Sequence, residues 1–431
     1  GFDVRGNGST EVGVVAANFP FAVSWDGGGG DLQWTTLTNW STDQLPLGNA
    51  NVSISSAGID TITLTSGIHD ILSLTLPVDD SLSISAATLN ITNASTINAN
   101  LTISNAAALL NIDGTLGIGG ALNLRQGVLT TNGDITVTGL TTWNTPSNSN
   151  GDQPVTVNGV GSLLANGGFD LGSNLNRDTL NLDKALVIGN TSSWFTAGIS
   201  GNPITGTGSI TNNAAITLFS TALDIAVPFT NAVTGSFTKT ANGGAIQFTG
   251  GMTNLGIFNI NAGTVELRGT GVFNHSGSFN VDSVLDLEVG THNFSGAITG
   301  AGTITNSGAV SDFSLSGLQA GHTLAISAGA VTLGTGTSAL AALTSTGGGI
   351  ITGGATPLSI TNDLSLTNSS LVGLGGNTTV GGNVTVNFSA GLNIVGTLGI
   401  AGALNLREGI LTTSGDITVT AGSTTVATIA A

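Results

Sequence analysis

The chain has 431 residues, with 66 glycines, 24 acidic and 7 basic side chains, and a formal net charge of −17. This balance argues against nucleic-acid binding, because phosphate recognition needs clustered lysine and arginine. Cysteine is absent, which excludes disulfides, thiolate metal sites and a cysteine nucleophile. Hydrophobic residues make up 40% of the chain and charged residues 7%, the reverse of a disordered composition.

The N-terminal segment predicts an edge strand. Residue 1 is glycine, so we expect a removed secretion signal or a fragment. Within residues 11–25 the apolar positions alternate strictly: Val15, Ala17, Phe19, Phe21 and Val23. Such alternation is typical of a strand, and Pro20 favours an edge strand because proline donates no ladder hydrogen bond. We predict that residues 1–50 form a cap, whose strand covers either this chain's own end or the end of a neighbouring subunit.

Three of the five tryptophans lie in the same segment. Trp25, Trp34 and Trp40 are interleaved with Asp26, Asp31 and a run of four glycines. One interpretation is an aromatic cover over the exposed end of a repetitive β-structure. The other is a glycan platform, on which sugar rings stack against the indoles beside the two carboxylates. The glycines are not a phosphate loop, because the lysine and helix of that motif do not follow.

From residue 51 onward, polar and apolar residues alternate in short runs, such as SLSI at 81–84 and DITV at 134–137. Similar segments recur about every 20 residues, as in GIFNI at 256–260 and GSFNV at 277–281. Short strands with this period predict an all-β fold, a right-handed parallel β-helix over residues 51–431. The alternative is a row of tandem β-sandwiches, suggested by the similarity of 204–216 to 298–310, 94 residues later.

A longer duplication links the middle of the chain to its end. Residues 111–138 recur at 393–420, 282 positions later, with 23 of 28 residues identical. The first copy lies mid-chain, where further coils must stack on it. The second copy therefore predicts an end that is also continued, either by chain beyond residue 431 or by another subunit. We expect self-association end to end.

Candidate catalytic or metal-binding residues are few. The four histidines, His69, His275, His292 and His322, have no ligand spacing, and we predict solvated turn positions for His275 and His292. Asp286 and Glu288 alternate with leucines and share an outward face, about 7 Å apart. They suit a solvated surface, an acid–base pair or calcium ligands. Because lysine and arginine are scattered, no substrate cradle is evident, and we predict no catalysis, metal or cofactor.

The tryptophan segment and the stretches SGAITGAGTITNSGAV and GIFNINAGTVELRG resemble segments of bacterial filamentous-haemagglutinin-type and autotransporter-passenger proteins. The resemblance implies export across a bacterial envelope, a β-helical shaft, and a role in adhesion or surface structure. We therefore expect an extracellular, non-catalytic protein that contacts its own copies and surface glycans or matrix, without membrane insertion. The alternative is a glycan-binding or polysaccharide-processing passenger. No secretion domain of that family is recognisable, which leaves the export route open.

Overall fold

The computed structural model describes residues 20–55, 58, 60–144, 154–172, 179–195, 203–219, 222–313, 318, 321–334, 337, 339–353 and 357–427. Over this part the chain is all-β, with parallel strands stacked into a β-solenoid of about 17 turns. The predicted parallel β-helix is confirmed, and the tandem-sandwich alternative is wrong, while the right-handed sense stays a prediction. At about 4.8 Å per coil, the rod is on the order of 80 Å long.

Each regular coil contributes three strands, so the solenoid has three flat faces. The first face contains Phe21–Trp25, Ala50–Ile54, Ser73–Leu76, Ser95–Ile97, Leu116–Ile118, Ile135–Val137, Ser162–Ala165, Ala185–Ile188, Ser209–Asn212, Phe229–Asn231, Met252–Asn254, Val272–His275, Thr291–Phe294, Val310–Phe313, Ala330–Leu333, Ile350–Thr352, Leu371–Leu374, Gly391–Ile394 and Ile410–Thr413. The strands of this face up to Asn254 form one hydrogen-bonded sheet and those from Val272 onward form another.

The second and third faces follow in chain order within each coil. The second face contains Thr61–Leu64, Ser81–Ile84, Leu101–Ile112, Leu122–Thr131, Thr141–Trp143, Phe169–Leu171, Ser192–Trp194, Ala215–Leu218, Ser236–Lys239, Ile257–Ile260, Ser278–Val281, Ile298–Thr299, Ala339–Leu340, Leu358–Ile360, Thr378–Val380, Leu398–Ile400 and Ile417–Val419. Two of these strands, Leu101–Ile112 and Leu122–Thr131, bend at a corner and continue onto the third face. The rest of the third face contains Ile68–Ile71, Thr88–Ile91, Val155–Gly159, Leu180–Leu182, Pro203–Thr205, Leu223–Ile225, Ala245–Phe248, Thr264–Leu267, Val284–Leu287, Thr303–Asn306, Thr323–Ile326, Ala342–Ser345, Leu364–Leu366, Val384–Asn387, Leu404–Arg407 and Thr424–Ala427.

The alternation seen in the sequence separates a dry interior from a polar exterior. Inward residues of neighbouring coils stack in register, as Phe258 does on Phe279, with ring centroids 5.4 Å apart. Phe237 continues this column 4.8 Å from Phe258. Burying each such side chain contributes roughly 1.5–3 kcal/mol, so the core is a continuous apolar column along the rod. The short repeats at 256–260 and 277–281 are therefore successive coils of one face.

The two copies of the long duplication lie on different faces. Leu116–Ile118 belongs to the first face, whereas the equivalent Leu398–Ile400 belongs to the second. Thirteen further first-face strands, ending with Gly391–Ile394, separate the two segments, so the offset is thirteen turns and one third. The same sequence thus packs equally well on two faces. The structural unit that is repeated is one strand with its corner rather than one coil.

The N-terminal strand begins the solenoid itself. Phe21–Trp25 pairs in parallel with Ala50–Ile54 of the same chain, with Phe21 opposite Ala50. Val23 faces inward and is buried, while Phe21 is partly exposed. This part of the predicted contact segment is therefore the first strand of the first face. Val15, Ala17 and Phe19 lie outside the described residues.

Candidate functional site

The three N-terminal tryptophans pack against one another at the first coils. Trp40 lies 5.1 Å from Trp25 and 4.7 Å from Trp34 between ring centroids, with edge-to-face geometry. Their exposed fractions are 3% for Trp25 and 0% for Trp34 and Trp40. The Trp40 indole donates to the Trp34 carbonyl at 2.8 Å, and the Trp34 amide donates to Thr63 O at 2.9 Å. The indole faces therefore contact protein in this arrangement, as a cover over the first coils requires.

A buried asparagine organises the loop between these tryptophans. Asn39, which is fully buried, donates to Asp31 Oδ1 at 2.8 Å and accepts from the Gly29 amide at 2.9 Å. Thr36 Oγ1 donates to Asp31 at 2.8 Å, and this bond, followed by that from Asn39, lowers the pKa of the Asp31 carboxyl. Asp26 accepts from the Gly28 amide. Both carboxylates named as sugar contacts thus take part in local loop hydrogen bonds, and the sequence interpretation overlooked Asn39.

A carboxylate cluster with one arginine lies on the outer surface of the third face. Glu266 and Asp286 are directly opposite each other on neighbouring strands. Arg268 Nη2 lies 3.1 Å from Glu266 Oε2, and its Nε lies 2.7 Å from Glu288 Oε2. Gln247 donates to Glu266 at 2.9 Å. This Gln–Glu–Arg–Glu set, which we call the outer ion-pair ladder, links consecutive coils.

Burial raises the pKa of two carboxyl groups in and beside this ladder. Partial burial raises the pKa of Glu266, which the Arg268 charge opposes, and raises the pKa of Asp286, which a hydrogen bond from Ser307 opposes. The hydrogen bond to Glu288 is the largest cause that raises the pKa of Arg268. Arg268 is engaged by two glutamates of its own chain, so its charge serves cross-coil pairing. The sequence interpretation placed Asp286 and Glu288 together but missed Arg268. The signal was available, because Arg268 lies 20 residues before Glu288, which is one coil period and makes the two residues neighbours on adjacent coils.

The outer ion-pair ladder makes a modest, pH-dependent contribution to stability. We expect Arg268→Gln to lower the free energy of unfolding by about 1 kcal/mol at neutral pH, a value that allows for the partial exposure of the pair. The difference should disappear in acid, where the carboxyl groups are protonated. Urea unfolding at both pH values measures it, with the exposed Arg125→Gln as the control. An equal loss in acid would contradict an electrostatic origin.

A second polar ladder runs inside the solenoid. Asn212, Asn231 and Asn254 end consecutive first-face strands and are fully buried. Asn212 Nδ2 donates to Asn231 Oδ1 at 2.8 Å, and Asn231 Nδ2 donates to Asn254 Oδ1 at 2.8 Å. Each amide also donates to a backbone carbonyl at the next corner. The internal asparagine ladder therefore satisfies polar groups that would otherwise be costly to bury.

Two histidines continue this ladder, and the prediction that they are solvated turn residues is wrong. His275 and His292 are both fully buried. The Asn254 backbone N–H donates to His275 Nδ1 at 3.2 Å, where the first-face backbone ladder is interrupted. His275 Nε2 and His292 Nδ1 are 3.1 Å apart, and His292 Nε2 is 2.9 Å from Val289 O. A backbone N–H only donates and a backbone carbonyl oxygen only accepts, so both rings are neutral with hydrogen on Nε2.

Burial opposes protonation of both rings. It lowers the pKa of His275 from 6.5 to about 3, with a smaller contribution from His292. It also lowers the pKa of His292, which the Val289 carbonyl partly offsets. A metal ion would have to displace these hydrogen bonds. Within the described residues no group of three or more His, Cys, Asp or Glu side chains is arranged to hold a metal ion.

The last described coil exposes the residues that the equivalent internal coil buries. Ile135 of the first repeat copy is 0% exposed, whereas Ile417, its counterpart, is 44% exposed. Ile135 contacts coils on both sides, pairing with Leu116 and Leu163. Ile417 pairs with Leu398 on one side. The difference lies in the absence of a described coil over Ile417, and not in the local sequence.

Comparison with protein-family models, curated proteins and solved structures finds no match for this chain. Among the described residues no helix is long and apolar enough to span a membrane.

Proposed function

We propose that the chain is a non-catalytic shaft of an extracellular fibre, structural or adhesive, whose subunits stack end to end. A rod of about 17 turns suits this role, because its length grows with each coil while its cross-section stays constant. The resemblance to bacterial filamentous surface proteins supports an extracellular position. The absence of cysteine is compatible with it.

The coil stacking carries the proposal: Ile135 is buried because coils pair with it on both sides, and a coil stacked on the equivalent Ile417, from further chain or from a second copy, would bury that residue in the same way. Both belong to the same repeated sequence, and a neighbouring coil buries the first while the second is partly open. Solenoid ends present apolar side chains and unpaired strand edges, which favour continuation by another repeat. In this proposal the N-terminal segment of a second copy stacks on the open end. Its contact residues are Val15, Ala17, Phe19, Phe21 and Val23. The last two lie in Phe21–Trp25, the first strand of the first face.

We assign no catalytic role. The main cluster of carboxylates is the outer ion-pair ladder, in which Arg268 pairs with glutamates and joins neighbouring coils. The tryptophans proposed for glycan stacking are buried against one another. Adhesion to surface glycans or matrix would then use the exposed Ser, Thr and Asn rows of the faces. The alternative, a glycan-binding or polysaccharide-processing passenger, requires sugar contacts that the buried indoles would provide only after the cap opens.

Electron microscopy tests end-to-end stacking. We expect the purified chain at high concentration to form filaments whose lengths are multiples of the single rod. Ile417→Asp should shorten them, because a charge at the open end must be desolvated when the next subunit stacks. Val233→Asp is the matched control, since Val233 is 76% exposed and lies mid-rod, away from both ends of the solenoid. Deletion of residues 1–20 tests the N-terminal contact.

The proposal fails under a clear set of outcomes. If the intact chain remains a single rod at high concentration and the deletion changes nothing, end-to-end stacking is excluded. If Ile417→Asp and Val233→Asp shorten filaments equally, the contact is not at the solenoid end.

A further inference from the structure

An uncharged apolar row crosses the first face in the second half of the rod. Successive strands place six residues in register on the outer surface: Val310, Ala330, Ile350, Leu371, Gly391 and Ile410. We call this row the apolar stripe. Leu371 is 54% exposed and Ile350 45%, although neither lies in the terminal coil. At about 4.8 Å per strand, the stripe is roughly 24 Å long.

The stripe contains a knob and a hole on adjacent strands. Leu371 projects outward, and Gly391, directly opposite it on the next strand, has no side chain. A depression of about 360 Å³ lies there, with Ile350, Leu371 and Ile410 among its lining residues. Exposed aliphatic residues elsewhere, such as Ile68 and Val233, are not part of this registered row. Contiguous exposed apolar surface of this kind marks protein contact sites.

The low charge of this surface favours a second copy of the same acidic chain as its occupant. The outward row beside the stripe consists of Asp312, Thr332, Thr352, Gly373, Asn393 and Thr412. Asp312, at one end, is the single charged residue in the two rows, whereas the whole chain carries −17. Two copies of so acidic a chain repel each other least where their surfaces are neutral. Interface centres are likewise depleted of charge.

We propose that this face pairs laterally with the same face of a second copy, in an antiparallel dimer with twofold symmetry. The axis would run parallel to the strands, midway between Leu371 and Gly391. It would insert each Leu371 into the Gly391 depression of the other copy. Ile350 of one copy would then face Ile410 of the other. A twofold contact of this type is self-complementary and closed, so it yields pairs of rods and not unlimited lateral clumping.

Sedimentation of the intact chain over a wide concentration range tests the pairing. We expect a staggered antiparallel dimer, in which the two rods overlap over about four coils and span nearly twice the length of one rod in electron micrographs. The dimer should become tighter as salt screens the −17 charges. Leu371→Glu should weaken dimerisation by roughly a hundredfold, because it buries an unpaired charge. The control is Ile257→Glu, which changes a 51% exposed residue at the start of a second-face strand and should leave the dimer intact.

A second variant distinguishes the specific contact of Leu371 with the Gly391 depression from nonspecific hydrophobic association. Gly391→Leu adds apolar surface but fills the depression, so it should weaken dimerisation. The face tolerates the change, because the added Cβ would meet only the flexible Leu371 side-chain end, at 3.1 Å. Tighter association of Gly391→Leu, an equal effect of Ile257→Glu, or a wild-type chain that is monomeric throughout would each overturn the proposal. End-to-end stacking is scored separately in the micrographs, because it joins rods on one common axis at constant width, whereas this dimer is stepped and doubly wide over an overlap of roughly 20 Å.

Discussion

The substitution Asn231→Ala is expected to lower the free energy of unfolding by about 3 kcal/mol. Asn231 is fully buried and accepts a hydrogen bond from Asn212 Nδ2 while donating to Asn254 Oδ1 and to Ile257 O, all at 2.8–2.9 Å. Alanine removes all three bonds within a dry core, where an unsatisfied polar group costs about 1–3 kcal/mol. Urea unfolding measures the loss.

The control for this prediction is the same change on the outer surface. Asn259 points outward on the second face and donates to Thr238 Oγ1 at 3.1 Å. Because water replaces that bond, Asn259→Ala should cost about 0.5 kcal/mol or less. Hydrogen exchange should place the loss for Asn231→Ala in the coils around 209–260, since each coil contacts mainly its neighbours. Equal losses for the two variants would show that the internal asparagine ladder is not stabilising.

Acidification is expected to destabilise the rod through its buried histidines. The pKa of His275 is lowered from 6.5 to about 3 in the folded chain. Between these pH values the ring is protonated in the unfolded state and neutral in the folded state. Stability due to this shift is complete above pH 6.5 and is lost progressively as the pH falls towards 3. For His275 alone the loss between pH 6.5 and 4.5 is about 2–3 kcal/mol. The lowered pKa of His292 acts in the same direction.

The test compares how steeply the free energy of unfolding changes with pH in each variant, and not the absolute free energies. The free energy of unfolding should fall steeply from pH 6.5 to 4.5 in the unmodified chain. The double variant His275→Asn with His292→Asn keeps polar side chains in the ladder but removes both titrating rings, so its profile should be flatter. His69→Asn is the control, because His69 lies in the first coils, outside the internal ladder. A double variant with the unmodified slope would rule out the buried histidines as the cause.

The sequence by itself determined the fold class and the length of one coil. Alternation in runs such as SLSI and DITV assigns inward and outward residues because side chains of a strand point to opposite sides in turn. The 21-residue spacing of GIFNI and GSFNV predicted which strands are neighbours, and Phe258 does pair with Phe279. Both inferences depend on local periodicity, which a single sequence displays directly.

The tertiary structure alone decided which face each repeat occupies and what the interior holds. The copies at 111–138 and 393–420 lie one face apart, because all three faces accept the same alternating strand and its corner. Polar residues inside were equally hidden from the sequence. Asn231, His275 and Lys239 stand at inward positions, where Lys239 donates to Ala241 O and burial lowers its pKa. Their partners lie in neighbouring coils or at a corner, so only the stacking register reveals that each polar group is satisfied.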